Sequence, residues 1–86
     1  MAEYALIIGR RASRDLESLP AGLVVRIDGK ILALRIDPRP PGVKKLKGEL
    51  DLWRIRIGDY RVIYSIDDRA RVVDIVRVRH RSKAYE

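Results

Sequence analysis

Apolar residues recur along this chain in two different rhythms. From Arg10 to Ile36 they return every three or four positions: Ala12, Leu16 and Leu19, then Leu23, Val24, Ile27, Ile31 and Leu34. That spacing lines one face of an α-helix, and it predicts a first helix over 10–19 and a second from Pro20 to about Ile36. Pro20 suits a first helical turn, where its missing N–H is not needed. Gly29 in mid-helix costs about 1 kcal/mol relative to alanine. Ahead of the helices, Tyr4-Ala5-Leu6-Ile7-Ile8 is a short apolar run that reads as a strand, ended by Gly9. Behind them, Asp37-Pro38-Arg39-Pro40-Pro41-Gly42 cannot continue a helix and reads as a loop.

From Trp53 the period drops to two. Trp53, Ile55 and Ile57 alternate with Arg54 and Arg56, the mark of a half-buried strand. Gly58-Asp59 is a two-residue hairpin turn, with glycine supplying the positive φ of its first central position. The next strand is Tyr60 to Ile66, Asp67-Asp68-Arg69-Ala70 is a turn, and Val72 to Arg79 is the last strand. The order β-α-α-β-β-β predicts one α+β domain over residues 1–86, an antiparallel sheet with two N-terminal helices packed on one face.

The hairpin has a consequence for charge. With Gly58 and Asp59 at the turn, Ile57 faces Tyr60 and Arg56 faces Arg61, on one side of the sheet and about 5 Å apart at Cβ. Arg54 lies two positions along on that side. A five-residue second turn, with Ile66 opposite Val72, sets Arg77 opposite Arg61 and Arg79 beside it. The other face carries Trp53, Ile55, Ile57, Tyr60, Val62, Tyr64, Val76 and Val78 as core. Like charges set opposite one another weaken a sheet. Either the side chains splay into water, where screening over ~8–10 Å leaves little repulsion, or the guanidinium groups converge on a phosphate backbone. The second reading gives the arginines a reason to be there.

Composition sharpens this picture. The 86 residues carry 19 Lys and Arg against 12 Asp and Glu, a net charge of +7, and fourteen of those cations are arginine. Guanidinium grips phosphate in bidentate fashion and stays charged when partly desolvated, so an anionic partner is expected, nucleic acid or an acidic protein segment. The hydrophobic share of 47% excludes a disordered chain. The absence of cysteine excludes disulfides, thiolate metal sites and a cysteine nucleophile. With a single histidine, no histidine pair can hold a metal, and no cofactor is expected. No basic leader precedes an apolar stretch and no apolar run approaches ~18 residues, so the expectation is a soluble, cytoplasmic protein without a membrane role.

Remaining candidates are few. Lys44, Lys45 and Lys47 form either a solvated run or a grip on RNA or protein. His80, between Arg79 and Arg81, is a candidate proton acceptor, though a lone histidine is more often a satisfied surface residue. Tyr85, in the tail Arg81-Ser82-Lys83-Ala84-Tyr85, could fold back over the basic face and stack on a base. Tyr60 and Tyr64 fall on the core face and read as structural. No paired carboxylates or phosphate-binding glycine loop is present.

Three strings then carry a resemblance: Val43-Lys44-Lys45-Leu46-Lys47-Gly48; Leu52-Trp53-Arg54-Ile55-Arg56-Ile57-Gly58-Asp59-Tyr60-Arg61-Val62-Ile63-Tyr64; and Val78-Arg79-His80-Arg81 with Tyr85. In this order they resemble the RelE branch of the RelE/ParE toxin superfamily, closely in the C-terminal half and by pattern before it. The resemblance implies the toxic half of a type II toxin–antitoxin module, an endoribonuclease that enters the ribosome and cleaves messenger RNA without a metal. The 2′-hydroxyl attacks the neighbouring phosphate and leaves a 2′,3′-cyclic phosphate. By position, Arg54 and Arg56 match two basic strand residues that are often lysines in the family. Arg61 and Arg81 match phosphate-stabilising arginines, Tyr85 the C-terminal tyrosine, and Lys47 a supporting basic position. An arginine is not readily deprotonated, so a base role assigned to lysine there does not transfer, which leaves Tyr85 or His80. The implied partner is an acidic, helical RelB-like antitoxin, with operator DNA reached only through that complex. Two alternatives stay open, a ParE-like inhibitor of DNA gyrase and a degenerate member that only binds antitoxin or RNA.

Overall fold

The structure is a computed structural model that describes residues 3–48 and 51–83. Its elements run β1 (Ala5–Ile8), α1 (Arg10–Glu17), α2 (Ala21–Ala33), β2 (Lys44–Lys45), β3 (Leu52–Ile57), β4 (Tyr60–Asp67), β5 (Val72–His80) and a 3-10 turn over Arg81–Lys83. The strands form one sheet in the order β1-β5-β4-β3-β2. Both helices bury their predicted stripes on one face, where Ala12, Ile27, Ile31 and Leu34 meet Ile55, Ile57, Val62 and Tyr64. This is the expected α+β architecture.

Both helices are shorter than their periodicity. The residue before a proline disfavours the helical region, and each stripe runs up to one. Past Glu17 the chain tightens, with Leu19 N–H donating to the Leu16 carbonyl at 3.1 Å. Pro20 then sits just outside α2, its carbonyl accepting from Leu23 and Val24 at 3.1 Å each. Past Ala33 the chain winds through bonds of the i to i+3 kind, Leu34 to Ile31 at 3.0 Å and Ile36 to Ala33 at 3.1 Å, before Asp37-Pro38.

The sheet departs from expectation in three ways. First, it is not wholly antiparallel: β1 lies parallel to β5, from Ala5 facing Val72 to Ile8 facing Ile75. A period of two says which face is buried and leaves the neighbour and its direction open. Second, Lys44 and Lys45 form a fifth strand against Arg54 and Trp53. Third, the β3–β4 hairpin has its predicted register, Ile57 to Tyr60 and Arg56 to Arg61, around Gly58 at φ 59°, but β4–β5 does not.

There the turn is shorter than the five residues expected. Asp67 pairs with Val72, and its Oδ1 accepts the N–H groups of Arg69 at 3.1 Å and Ala70 at 2.9 Å. Farther along, the pairing slips between Ile63 and Tyr64, leaving Val76 as the extra residue of a bulge. The slip exchanges the faces of β5. Val73 and Ile75 are fully buried core residues, while Val76, expected in the core, is only half-buried. Arg61 consequently faces Arg79, and Arg77 faces Ile63.

Polar anchors hold the margins. The fully buried Tyr64 donates its hydroxyl to the Pro38 carbonyl at 2.7 Å, fixing the loop after α2, and burial pushes its pKa up to about 12. Arg39 grips Asp68 through both guanidinium nitrogens at 2.9 and 3.1 Å, Tyr4 donates to the same carboxylate at 2.6 Å, and Arg39 also lies 4.8 Å over the Trp53 ring. Led by the Arg39 bond, these contacts draw Asp68 down to about 2. They tie the start of β1, the 37–42 loop and the β4–β5 turn together.

Candidate functional site

Directly opposed residues in a sheet share a face, so the register alone places the cations. One row across four strands reads Lys44, Arg54, Ile63, Arg77. The next row, nearer the β3–β4 turn, reads Arg56, Arg61, Arg79. Between and beyond them, the rows Ile55–Val62–Val78 and Ile57–Tyr60–His80 belong to the other face, which packs on the helices. Residues far apart in the chain are thereby gathered into a basic patch on the side that the helices leave free.

The inner members are held closely. Arg54 and Arg61 are only 8% and 9% exposed, while Arg56 is exposed and Arg79 half-buried. The Nε of Arg54 is buried and has no hydrogen-bond partner among the described residues, and an unpaired buried donor costs ~1–3 kcal/mol. Among the described residues, no carboxylate pairs with Arg54, Arg56 or Arg79. Fixed cations that lack local counter-charge are what an incoming anion would neutralise.

Other expected members stand elsewhere. Arg77 reaches round the sheet edge to Asp15 on α1, with Nε to Oδ2 at 2.9 Å and the terminal nitrogen to Oδ1 at 3.1 Å. Its charge is already matched, and it does not face Arg61. Asp15 Oδ2 also accepts the Val78 N–H at 2.9 Å, capping β5 beyond the point where β1 stops pairing. Burial alone would raise the Asp15 carboxyl, but the Arg77 and Val78 hydrogen bonds outweigh it and hold the pKa below its usual range. Lys45 falls on the helix side, 5.7 Å over Trp53 and 2.8 Å from Asp51, so of the lysines in β2 only Lys44 joins the patch. Lys47 is exposed just past β2.

His80 is on the wrong face for a base acting at the arginines. It pairs with Tyr60, its ring edge-on at 5.3 Å and 89°, and its Nδ1 accepts the Ser82 N–H at 3.3 Å. The odd-even alternation that brings Arg79 to the patch turns His80 away. Arg81 follows at the hairpin end, where its N–H donates to the Asp59 carbonyl at 2.7 Å and its Nε lies 3.8 Å from the Asp59 carboxylate, both side chains exposed. Tyr85 lies outside the described residues. Asp15 went unnoticed in the sequence because nothing local marks a helix carboxylate that caps a strand sixty residues on.

Residues 6–85 match the family of the ParE toxin of type II toxin–antitoxin systems, parDE. The chain is 32% identical to a protein of Methanocaldococcus jannaschii named as toxin RelE1, over 98% of this chain and 97% of that one. It is 38% identical to the toxin RelE of Mycobacterium tuberculosis, over 95% and 86%. Among solved structures, the archaeal RelE–RelB complex from Pyrococcus horikoshii superposes with a TM-score of 0.82 at 36% identity, covering 95% of this chain and 99% of that one. Two helices on a mostly antiparallel five-stranded sheet, open on its basic side, is therefore the fold of a small type II toxin. The chain belongs to the RelE/ParE toxin family, as a RelE toxin of a toxin–antitoxin system.

Proposed function

We propose that this toxin is a ribosome-dependent endoribonuclease that cleaves messenger RNA. The observation that carries the reading is the pair of cation rows, Lys44–Arg54 and Arg56–Arg61–Arg79, on the helix-free face. A phosphate between the rows meets guanidinium groups from three strands. In the reaction, the 2′-hydroxyl oxygen bonds to the adjacent phosphorus while the bond to the 5′ oxygen breaks. The 2′ proton goes to a base, the 5′ oxygen gains a proton, and the products are a 2′,3′-cyclic phosphate and a 5′-hydroxyl. Negative charge grows on the phosphoryl oxygens midway, and fixed arginines stabilise it more than they stabilise the starting diester.

Among the described residues, the two rows supply charge and no carboxylate or imidazole. Proton transfer is assigned to Tyr85 on the strength of the resemblance alone, and His80 is left a positioning role against Tyr60. Inhibition of translation in the cytoplasm follows. A RelB-like antitoxin is the partner, as the Pyrococcus horikoshii relative was solved with RelB. An acidic antitoxin segment complements the net charge of +7.

The test is purified toxin with programmed ribosomes. Fragments should end in a cyclic phosphate, and Arg61→Ala and the exposed Arg56→Ala should each lower cleavage at least tenfold. The ParE family match keeps a second reading, inhibition of DNA gyrase. Intact message together with blocked supercoiling would select it; intact message with gyrase unaffected would leave a toxin fold that only binds its antitoxin or RNA.

A further inference from the structure

The β2–β3 ladder stops at Lys44 opposite Arg54, whereas β3 continues to Ile57. The chain ahead of Lys44 turns away through Pro41-Gly42. The gap this leaves at the β3 edge, next to the C-terminal end of α2, is a pocket of about 190 Å³ lined by Lys30, Ala33, Pro40, Pro41, Ile55 and Arg56. It touches the rim of the helix-packed core at Ile55 and shares Arg56 with the second row of cations.

We infer that this pocket is a subsite for one base of a single-stranded RNA, set beside the phosphate that the arginine rows hold. The inference rests on the RNA-cleaving reading above and adds a source of sequence preference to it. The volume falls below the ~300 Å³ at which sites for drug-sized ligands begin, which suits one planar ring. Two proline rings and the Ala33 methyl supply rigid apolar walls that lose little freedom when a ring enters. The strand supplies the polar edge. In an antiparallel ladder, N–H and C=O groups point alternately to either side. Leu46 N–H reaches the Leu52 carbonyl at 2.8 Å on the β2 side, so the outward set is 52, 54 and 56. Beyond the end of β2, the N–H and C=O of Arg56 therefore point to the vacated edge, a donor and an acceptor side by side as base edges require.

Charge decides between an RNA base and an aromatic side chain of a protein partner. The described residues of the lining include two cations, Lys30 and Arg56, and no carboxylate. A base arrives with its own phosphate, and Arg56 can hold that phosphate while its backbone reads the ring.

The experiment titrates the four ribonucleoside 3′-monophosphates into isotope-labelled toxin. The Ala33 methyl and the Gly42 and Arg56 amides should shift, with one base binding at least threefold tighter than the weakest. Ala33→Phe, which fills the pocket from an exposed helix end, should erase the discrimination, and Lys30→Ala should weaken all four nucleotides without changing their order. On programmed ribosomes, Ala33→Phe should flatten the distribution of cleavage sites in protein whose circular dichroism is unchanged. The inference is overturned by shifts confined to Arg61 and Arg79, or by discrimination that survives Ala33→Phe. It is also overturned if the pocket responds to a blocked Glu-Tyr-Glu peptide and to no nucleotide. Base-selective binding by a toxin that leaves message intact would sustain the subsite and sink the cleavage reading alone.

Discussion

Asp15 closes the one stretch of β5 edge that β1 does not cover, and its removal should be felt throughout the end of that strand. Its carboxylate accepts from Arg77 at 2.9 and 3.1 Å and from the Val78 N–H at 2.9 Å, with the Asp15 and Arg77 side chains 18% and 27% exposed. Asp15→Ala strands the Val78 N–H, at ~1–3 kcal/mol, and loses charge-assisted bonds worth ~1.5–3 kcal/mol. Arg77 can partly turn to water, so the net cost is about 2–3 kcal/mol. A domain of this size loses roughly 4–8 °C per kcal/mol, so the midpoint should fall by roughly 10–20 °C. Asp15→Asn keeps an acceptor for Val78 and should cost about 1 kcal/mol, as one neutral bond replaces a charged one.

The pH dependence separates charge from packing. Because the folded pKa of Asp15 is depressed, its ionic contribution is complete above the usual carboxylate value near ~4 and is lost as pH falls through the lower, folded value. The gap between wild type and Asp15→Asn should be constant from neutral pH to about 5 and shrink below about 4. Thermal and urea melts across that range, with an Asp15→Ala/Arg77→Ala double-mutant cycle, measure both terms. An alanine variant melting within two degrees of wild type, on the order of the surface-substitution background, would refute the edge-cap reasoning. So would an asparagine gap that stays constant down to the acid limit.

Three further outcomes follow from single contacts. A Cβ on Gly9 would lie 2.9 Å from the Ile75 carbonyl oxygen, and backbone cannot yield as a side chain does, so Gly9→Ala should lower urea stability by ~1–3 kcal/mol. With its pKa raised to about 12 by burial, Tyr64 should ionise near that value in an absorbance titration, and Tyr64→Phe should remove this step at a cost of ~1–2 kcal/mol for the unpaired Pro38 carbonyl. Binding of single-stranded RNA should weaken linearly with the logarithm of salt with a slope of about −2 to −3, since each phosphate neutralised contributes ~0.7 and the two rows of cations span roughly three to four phosphates; Arg56→Ala should reduce the slope by about 0.7.

Much of this protein is legible in one dimension because its instructions are local. Apolar runs and spacing marked two helices and four of the strands, a glycine-led dipeptide set the β3–β4 register, and that register alone placed Arg54, Arg56 and Arg61 together. The strings around Trp53 and His80 pointed to the toxin family that the comparisons show.

Relations between elements needed the folded chain. The parallel partner of β1 and the pairing of Lys44 with Arg54 join segments whose own patterns allow several neighbours. One extra residue at Val76 shifted β5, brought Arg79 rather than Arg77 opposite Arg61, and sent His80 to the helix side with Tyr60. Alternation propagates along a strand without error until a bulge resets it, and a bulge is settled by how two strands and the layer above them pack. For the same reason Asp15 gave no sign of its role: a carboxylate on a helix becomes a strand cap only when tertiary contacts bring an unpaired N–H within reach.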